Sequence, residues 1–166
     1  MTASERVQRL ERSVNQLIGE IERLPAEVLY RAPSPGEWPV MSTLAHMAEM
    51  LPYWARQAQG IASQPGQPFG RTHDDADRIG AVEEHGHDSL DVAVARLRTS
   101  LQECVTALRA LPEDAWAKAG RHPTRGMMTI EQLVDAFVIN HAEEHATQLQ
   151  TTLQAVATSS SATQSS

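Results

Sequence analysis

An apolar stripe that occurs twice constrains the fold of this chain more than any other feature. Apolar residues recur at alternating steps of three and four, which places them along one face of an α-helix. The stripe repeats when the sequence is shifted by 87 residues, so that Val7 falls on Val94. The prolines that follow the two stripes, Pro25 and Pro112, then coincide as well. The sequence therefore predicts two similar helical hairpins.

The same periodicity predicts four long helices, which span residues 4–24, 42–60, 89–111 and 129–156. Ser4, Ser42 and Thr129 are the expected N-caps, and Gln132 completes a capping box with Thr129. Pro52 should kink the second helix or mark a local irregularity. The expected fold is an all-α four-helix bundle.

A long segment, residues 60–88, separates the two hairpins and contains a short helix near residues 75–84. A connection of this length can cross over the bundle, so that the second and third helices run parallel, and can line a site. We assign residues 1–157 to the bundle. The polar tail, residues 158–166, is expected to be disordered.

Composition narrows the class of protein. The net charge of −7 and the lack of a Lys/Arg cluster argue against nucleic acid as a partner. The sequence has no apolar run of membrane length, and MTASERVQRLERS lacks the apolar core of a signal peptide. The single cysteine excludes an intrachain disulfide. We therefore expect a cytoplasmic protein that does not bind membranes.

Two histidines interrupt the apolar stripe of the fourth helix. The stripe runs through Ile130, Val134 and Phe137, and its next positions are His141 and His145. Side chains four residues apart lie on the same helix face, so that both imidazoles can reach one divalent metal ion. The alternative is a surface pair that arises by chance.

A third ligand is expected from the second helix. His46 lies on the shoulder of the apolar arc, where its side chain can reach the bundle interior. Three imidazoles leave at least one coordination position open, which is typical of a reactive rather than a structural site. The alternative is a hydrogen-bonded core histidine.

Four neighbouring residues are candidates for the pocket or for orienting the ligands: Tyr53, Met50, Glu144 and Gln148. Glu144 flanks the histidine stripe and could orient a ligand. Tyr53 is equally compatible with core packing. HAEEH is not the HExxH motif of zinc proteases, because Ala142 stands where that motif has its glutamate. No catalytic side chain is identified, so a water or thiolate on the metal is the expected reactive group.

Other residues receive weaker assignments. Five residues of the crossover are candidates for the pocket, and the alternative for each is a solvated position in the loop: Phe69, Arg71, His73, Asp77 and Arg78. Cys104 lies on the third stripe and should be a packing residue. We expect surface positions for His85, His87 and His122, and the alternative is that they border the active cleft.

Two segments together resemble a known family. GEWPVMSTLAHMAEM, followed late in the chain by GMMTIEQLVDAFVINHAEEHATQLQ, is similar to the DinB/YfiT-like superfamily of metal-dependent enzymes. The resemblance reaches from the first helix to about Val156. Its most specific parts are the start of the second helix up to His46 and the H-x-x-x-H-x-x-Q pattern of His141, His145 and Gln148.

The resemblance implies a bundle in up-down-down-up order, a nickel or zinc site formed by the three histidines, and a homodimer. It also implies a thiol-dependent S-transferase or hydrolase that acts on small molecules, with a low-molecular-weight thiol as cosubstrate. Mycothiol-dependent isomerases and sulfoxide synthases carry extra domains, so we do not expect those activities here. The alternative function is a non-catalytic metal-binding or ligand-sensing bundle.

Overall fold

The computed structural model describes the backbone of residues 1–72 and 74–163 and the side chains of residues 1–72 and 74–155. The chain is mostly helical, as predicted. Its α-helices are α1 (Ala3–Ile21), α2 (Ala26–Leu29), α3 (Val40–Ser63), α4 (Ala76–His85), α5 (Leu90–Arg109), α6 (Ile130–Leu133) and α7 (Asn140–Thr163). A 3-10 helix covers Glu113–Ala117, a π-helical segment covers Val134–Ile139, and the strands are β1 (Ala119–His122) and β2 (Gly126–Thr129).

Local capping explains where the helices begin. Thr2, not Ser4, caps α1 and forms a capping box with Glu5. Pro39 precedes α3 without a side-chain cap, so the prediction of Ser42 as a cap is wrong. The capping box of Thr129 with Gln132 is confirmed. Ser4 and Ser42 lie inside their helices, because Thr2 and Pro39 already provide the extended residue from which each helix begins.

Two ion pairs show the direction of α5 relative to α1. Arg109, at the end of α5, binds Glu11 at 2.8 Å. Arg98, in the first half of α5, binds Glu22 just after α1 at 3.2 Å. The two helices are therefore antiparallel.

Further contacts show the directions of α7 and α3. Near the start of both helices, Arg9 of α1 binds Glu143 of α7 at 2.6 Å. Farther along, Glu20 of α1 binds Gln150 of α7. α1 and α7 are therefore parallel. Gly86, just before α5, lies against Ser42 near the start of α3, so α3 and α5 run the same way. The order is up-down-down-up.

The element bounds agree with the predicted repeat. Shifted by 87 residues, α1 coincides with α5 and α2 coincides with the 3-10 helix. The hairpins differ in the connection that follows, where the second one forms the antiparallel pair β1–β2. Pro68 of the crossover pairs with Arg121 along the other edge of β1. The sequence analysis did not predict this small sheet.

The crossover and the chain ends complete the description. The predicted short helix is α4, capped by Asp75, and α3 continues through Pro52.

The backbone of α7 remains helical beyond Val156 as far as Thr163, while residues 164–166 lie outside the described residues. The disorder expected for residues 158–166 stays a prediction. Within the described ranges no helix is both long and apolar enough to cross a membrane.

Candidate metal centre

Three histidines from two helices converge on one point. The Nε2 atom of His141 lies 3.3 Å from Nε2 of His46 and 3.1 Å from Nε2 of His145. One ligand atom from each residue lies within 4.8 Å of the other two. α3 supplies His46, and α7 supplies the pair. The three residues predicted as ligands are thus brought together.

The surroundings keep two of the three imidazoles, those of His46 and His145, uncharged. His46 is buried, and burial, followed by the neighbouring His145, lowers its pKa to about 3. Burial and His141 lower the pKa of His145 to about 4. Both rings are therefore neutral at pH 7 and present a lone pair, which is the form of histidine that binds metal ions.

The spacing of the nitrogens suits a shared cation. Nitrogens that bind one zinc ion tetrahedrally at 2.0–2.1 Å lie about 3.3 Å apart. The Nε2 of His141 can donate a single proton, so hydrogen bonding cannot satisfy both of its close nitrogen neighbours at once. One divalent ion among the three lone pairs would satisfy them all, so the residues fit a metal.

The outer ring nitrogens show how the ligands are oriented. Nδ1 of His145 lies 3.4 Å from Oε1 of Gln148, an acceptor, which favours the tautomer that carries its proton on Nδ1 and leaves Nε2 free to bind. Nδ1 of His141 lies 3.9 Å from a carboxylate oxygen of Glu144. Nδ1 of His46 is buried with no hydrogen-bond partner among the described residues.

The π-helical segment determines which face of α7 carries the pair. In an uninterrupted helix the core stripe would run through Phe137, His141 and Gln148. Instead, Val138 and Ala142 are buried in the core, and Gln148 is exposed. One extra residue in a helical turn rotates all later side chains by about 100°. The prediction that the histidines replace core residues is therefore wrong, since both are only partly buried beside the core, and His141 lines a cavity.

A cavity of about 430 Å³ adjoins the histidines. His46 and His141 line it, together with an aromatic wall. Trp54 stacks on Phe137 with ring centroids 4.4 Å apart, and His122 stacks on the same Phe137 ring at 5.0 Å. The wall offers a flat apolar surface next to the candidate metal centre.

The β-hairpin positions His122 in this wall. Its side chain is buried and lines the cavity, because the hairpin folds back over Phe137. The expected surface position is therefore wrong for His122, and the alternative, a position at the border of the cleft, agrees with the structure. The backbone N–H of Thr124 donates to Nδ1 of His122 at 3.3 Å, so the neutral ring carries its proton on Nε2. Burial lowers the pKa of His122, and Arg125 lowers it further. Gly70 passes so close that an added Cβ would lie 2.7 Å from the ring.

Arginines supply most of the charge in the cavity lining. Arg71 is clamped by Glu49, at 2.7 and 2.5 Å, and lies 3.9 Å over the Tyr53 ring. Arg78 lies over Trp38. Arg125 lies over Phe137, 4.8 Å from the ring centroid. Glu144 is the acidic residue among the described lining residues.

The remaining predicted residues fall into two groups. Phe69 is buried against His122, and Arg71 and Arg78 line the cavity. Met50 lies in the core, and Tyr53 is half-buried beneath Arg71, so neither belongs to the described cavity lining.

Four more residues lie away from the histidine cluster. Asp77 and His87 are exposed, and His85 binds Asp88. Cys104 is a buried packing residue, as predicted, and burial raises the pKa of its thiol to about 12. His73 lies outside the described residues.

Sequence reasoning missed the contributions of the hairpin. Pro123 and Gly126 are turn-forming residues, so they could have suggested a turn next to His122. The face of the hairpin on which His122 lies is not specified by these residues. The position of Arg125 depends on how the hairpin folds over α7, which local sequence does not specify.

The fold and the site define a four-helix bundle with a three-histidine cluster beside a cavity. The chain belongs to the DinB superfamily, whose family model matches residues 9–149. Comparison with curated protein sequences gives no significant match.

Solved structures support the same fold. YfiT from Bacillus subtilis, described as a probable metal-dependent hydrolase with an unusual four-helix bundle topology, has a TM-score of 0.73 and 18% identity, over 92% of this chain and 87% of that chain. The four-helix bundle protein TT2238 has a TM-score of 0.65 and 18% identity, over 90% and 99% of the two chains. A mutant form of the mycothiol-dependent maleylpyruvate isomerase has a TM-score of 0.67 and 14% identity, over 86% of this chain and 60% of that chain.

Proposed function

We propose that this protein is a metal-dependent enzyme in which His46, His141 and His145 hold one divalent ion, zinc or nickel. The convergence of the three Nε2 atoms, with spacings of 3.1 and 3.3 Å at His141, carries the proposal. Since a neutral imidazole adds no negative charge when it binds a metal ion, the bound ion would retain its full charge. Such an ion supplies Lewis acidity, which lowers the pKa of a coordinated water or thiol.

The reaction we propose is attack by a water or a low-molecular-weight thiol on an electrophilic small molecule. YfiT is described as a probable metal-dependent hydrolase and the isomerase as mycothiol-dependent, which supports these two nucleophiles. Identity to both proteins is below 20%, so the similarity does not select one reaction. Activity assays must distinguish hydrolysis from S-transfer. Cys104 does not serve as the nucleophile, since its thiol is buried away from the cavity.

The chain's own residues bind and orient the reactants. The stacked rings of Trp54 and Phe137 take the apolar part of the substrate and exclude water from it. His122 presents a neutral ring with its proton on Nε2, which can donate a hydrogen bond to a substrate oxygen. Gln148 keeps His145 in the tautomer whose Nε2 can act as a ligand.

Metal analysis tests the binding claim. Tag-free protein, purified without chelators, should contain close to one equivalent of zinc or nickel. His141→Ala should lose most of it, whereas His87→Ala, which removes an exposed histidine outside the cavity, should retain it. Equal metal content in the three proteins, or none in the wild type, would refute the proposal.

Turnover tests the enzyme claim. Metal-loaded protein should be assayed with small thiols and electrophilic acceptors, and separately with ester and amide substrates. Activity should be lost in His46→Ala and retained in His87→Ala. Tight metal binding without turnover would favour the non-catalytic metal-binding bundle. Turnover that persists in His46→Ala would remove the metal from the mechanism.

A further inference from the structure

We propose that the cavity binds the carboxylate group of a small molecule through Arg125, with the rest of that molecule lying on the Phe137–Trp54 wall. The role of this subsite in a reaction rests on the proposed function, but its ability to bind an anion does not. According to this proposal, the substrate or the thiol cosubstrate is a carboxylic acid.

The cavity differs in charge from the rest of the protein. The whole chain has 21 acidic and 14 basic residues apart from histidine. The cavity lining reverses this balance, because its described residues include three arginines, at positions 71, 78 and 125, and one acid, Glu144. A cavity lined by cations attracts anions and concentrates them near its walls.

The arginines have different roles. Glu49 and Asp75 hold the Arg71 guanidinium, so its charge is already balanced within the protein. Arg78 contributes positive charge near the histidines, where it helps to lower the pKa of His46. Arg125 forms no ion pair with an acid among the described residues, and its guanidinium contacts the Phe137 ring. We therefore assign Arg125 as the arginine that pairs with a ligand anion.

The hairpin presents Arg125 in a defined place. Thr124 is tied to His122 through both its backbone N–H and its hydroxyl group, each 3.3 Å from Nδ1. Gly126 follows with a φ of 73°, a left-handed conformation that favours glycine and closes the turn. Pro123 fixes its own φ angle. These contacts lower the entropic cost of positioning the arginine over the cavity.

One unpaired guanidinium matches a monoanion. Its N–H groups form a planar fork that pairs with both oxygens of a carboxylate. Phe137 precedes His141 by four residues, or about 6 Å along a helix. A carboxylate on Arg125 would leave the body of the ligand over the aromatic wall, with its far end toward the three histidines.

Fragment binding tests this proposal on the full chain. Benzoate and benzamide have nearly the same shape, but only benzoate is charged, and phenyl phosphate tests a dianion. Affinities are measured by NMR titration of backbone amides, with zinc-loaded and with metal-stripped protein, so that direct coordination of the fragment is recognised. The variants are Arg125→Gln and, as matched control, Arg121→Gln, an exposed arginine of the same hairpin that is not among the cavity-lining residues.

Wild type should bind benzoate at least tenfold more tightly than benzamide, and Arg125→Gln should lose about tenfold for benzoate alone. Arg121→Gln should bind like wild type. Equal affinity for the two fragments, tighter binding of phenyl phosphate, or equal losses in both variants would overturn the proposal. Metal content is measured on the same samples. Normal metal with no benzoate preference would defeat only the carboxylate subsite, whereas benzoate binding through Arg125 without metal would defeat only the proposed function.

Discussion

The guanidinium of Arg6 binds both carboxylate oxygens of Asp135, at 2.7 and 2.9 Å. Arg6 belongs to α1, and Asp135 lies within the π-helical segment that leads to His141. Arg6 also pairs with Glu131, one turn earlier. The first helix thus holds the widened turn that sets the orientation of the histidine pair.

Loss of this clamp should destabilise the protein. Arg6 is buried, whereas both of its acidic partners are partly exposed. Arg6→Gln leaves these acids able to regain water, so we expect the free energy of unfolding to fall by about 2–3 kcal/mol, near the value for charged hydrogen bonds. Urea unfolding measures it. Arg9→Gln, which breaks the more exposed pair with Glu143, should cost about 1 kcal/mol or less. Equal costs would contradict a special role for Arg6.

Gln148 should tune metal affinity. Its side-chain oxygen lies 3.4 Å from Nδ1 of His145, a long contact, so Gln148→Ala should weaken zinc binding by about tenfold, at the low end for residues that orient ligands. Competition with a chelator of known affinity measures the change. Gln150→Ala is the control, because Gln150 binds Glu20 instead. Unchanged affinity in Gln148→Ala would show that it does not orient His145.

Gly66 and Gly70 have nearly the same φ angle, so alanine substitutions at the two positions distinguish backbone strain from steric crowding by a side chain. Gly70 and Gly66 have φ values of 88° and 86°, so alanine is strained at either position by roughly 1 kcal/mol. An added Cβ at Gly70 would meet His122 at 2.7 Å, whereas at Gly66 nothing lies within 4 Å. Gly70→Ala should therefore cost more stability than Gly66→Ala and should alone shift the NMR signals of the His122 ring. Similar effects of the two variants would argue against close contact in this wall.

The metal-free protein should lose stability in mild acid. Burial lowers the pKa of His46 to about 3 and of His145 to about 4, while the unfolded chain binds these protons near pH 6.5. The unfolded state therefore takes up more protons as the pH falls below 6.5, and stability declines until the folded-state pKa values are reached. Between pH 7 and pH 5 each residue should contribute a loss of about 2 kcal/mol.

Urea unfolding at the two pH values, for wild type and for the double variant His46→Gln/His145→Gln, measures this loss. The variant should show a shallower decline, because glutamine does not titrate. The same decline in both proteins would assign the acid sensitivity to other groups.

The single cysteine should report on metal binding. Cys104 is buried, and burial raises the pKa of its thiol to about 12, so a disulfide reagent should label it only when the protein opens. Zinc that binds the folded state should slow this labelling, by a factor that rises with the ratio of zinc concentration to dissociation constant. His141→Ala should remove the effect of zinc. Rapid labelling of the folded protein would contradict the burial of this residue.

The sequence was most informative where local chemistry decides the structure. The repeated stripes predicted α1 and α5, and the residues Thr129 and Gln132 predicted the start of α6, because capping and amphipathic packing depend on near neighbours. The three histidines could be named because two of them share a helix face and one lies on the shoulder of another helix. Their role as ligands stays a prediction.

The features that were missed depend on distant contacts. The π-helical segment has no local sequence signal, and the clamp on Asp135 comes from Arg6, which is remote in sequence. The inner position of His122 requires both the hairpin and the crossover, whose Phe69 and Gly70 pack against its ring. Periodicity within one helix cannot describe such contacts.

The π-helical segment has a consequence for how this site can be gained or lost. The π-helical segment contains one residue more than an α-helix of the same number of turns, so the buried face of α7 is rotated relative to that of α6. A single-codon deletion within Val134–Ile139 would therefore turn His141 and His145 away from His46, although all three ligands would remain in the sequence. Conversely, an ordinary bundle helix could acquire the site by a single-codon insertion. Relatives that keep the histidines but lack the extra residue would therefore differ in metal binding despite identical motifs.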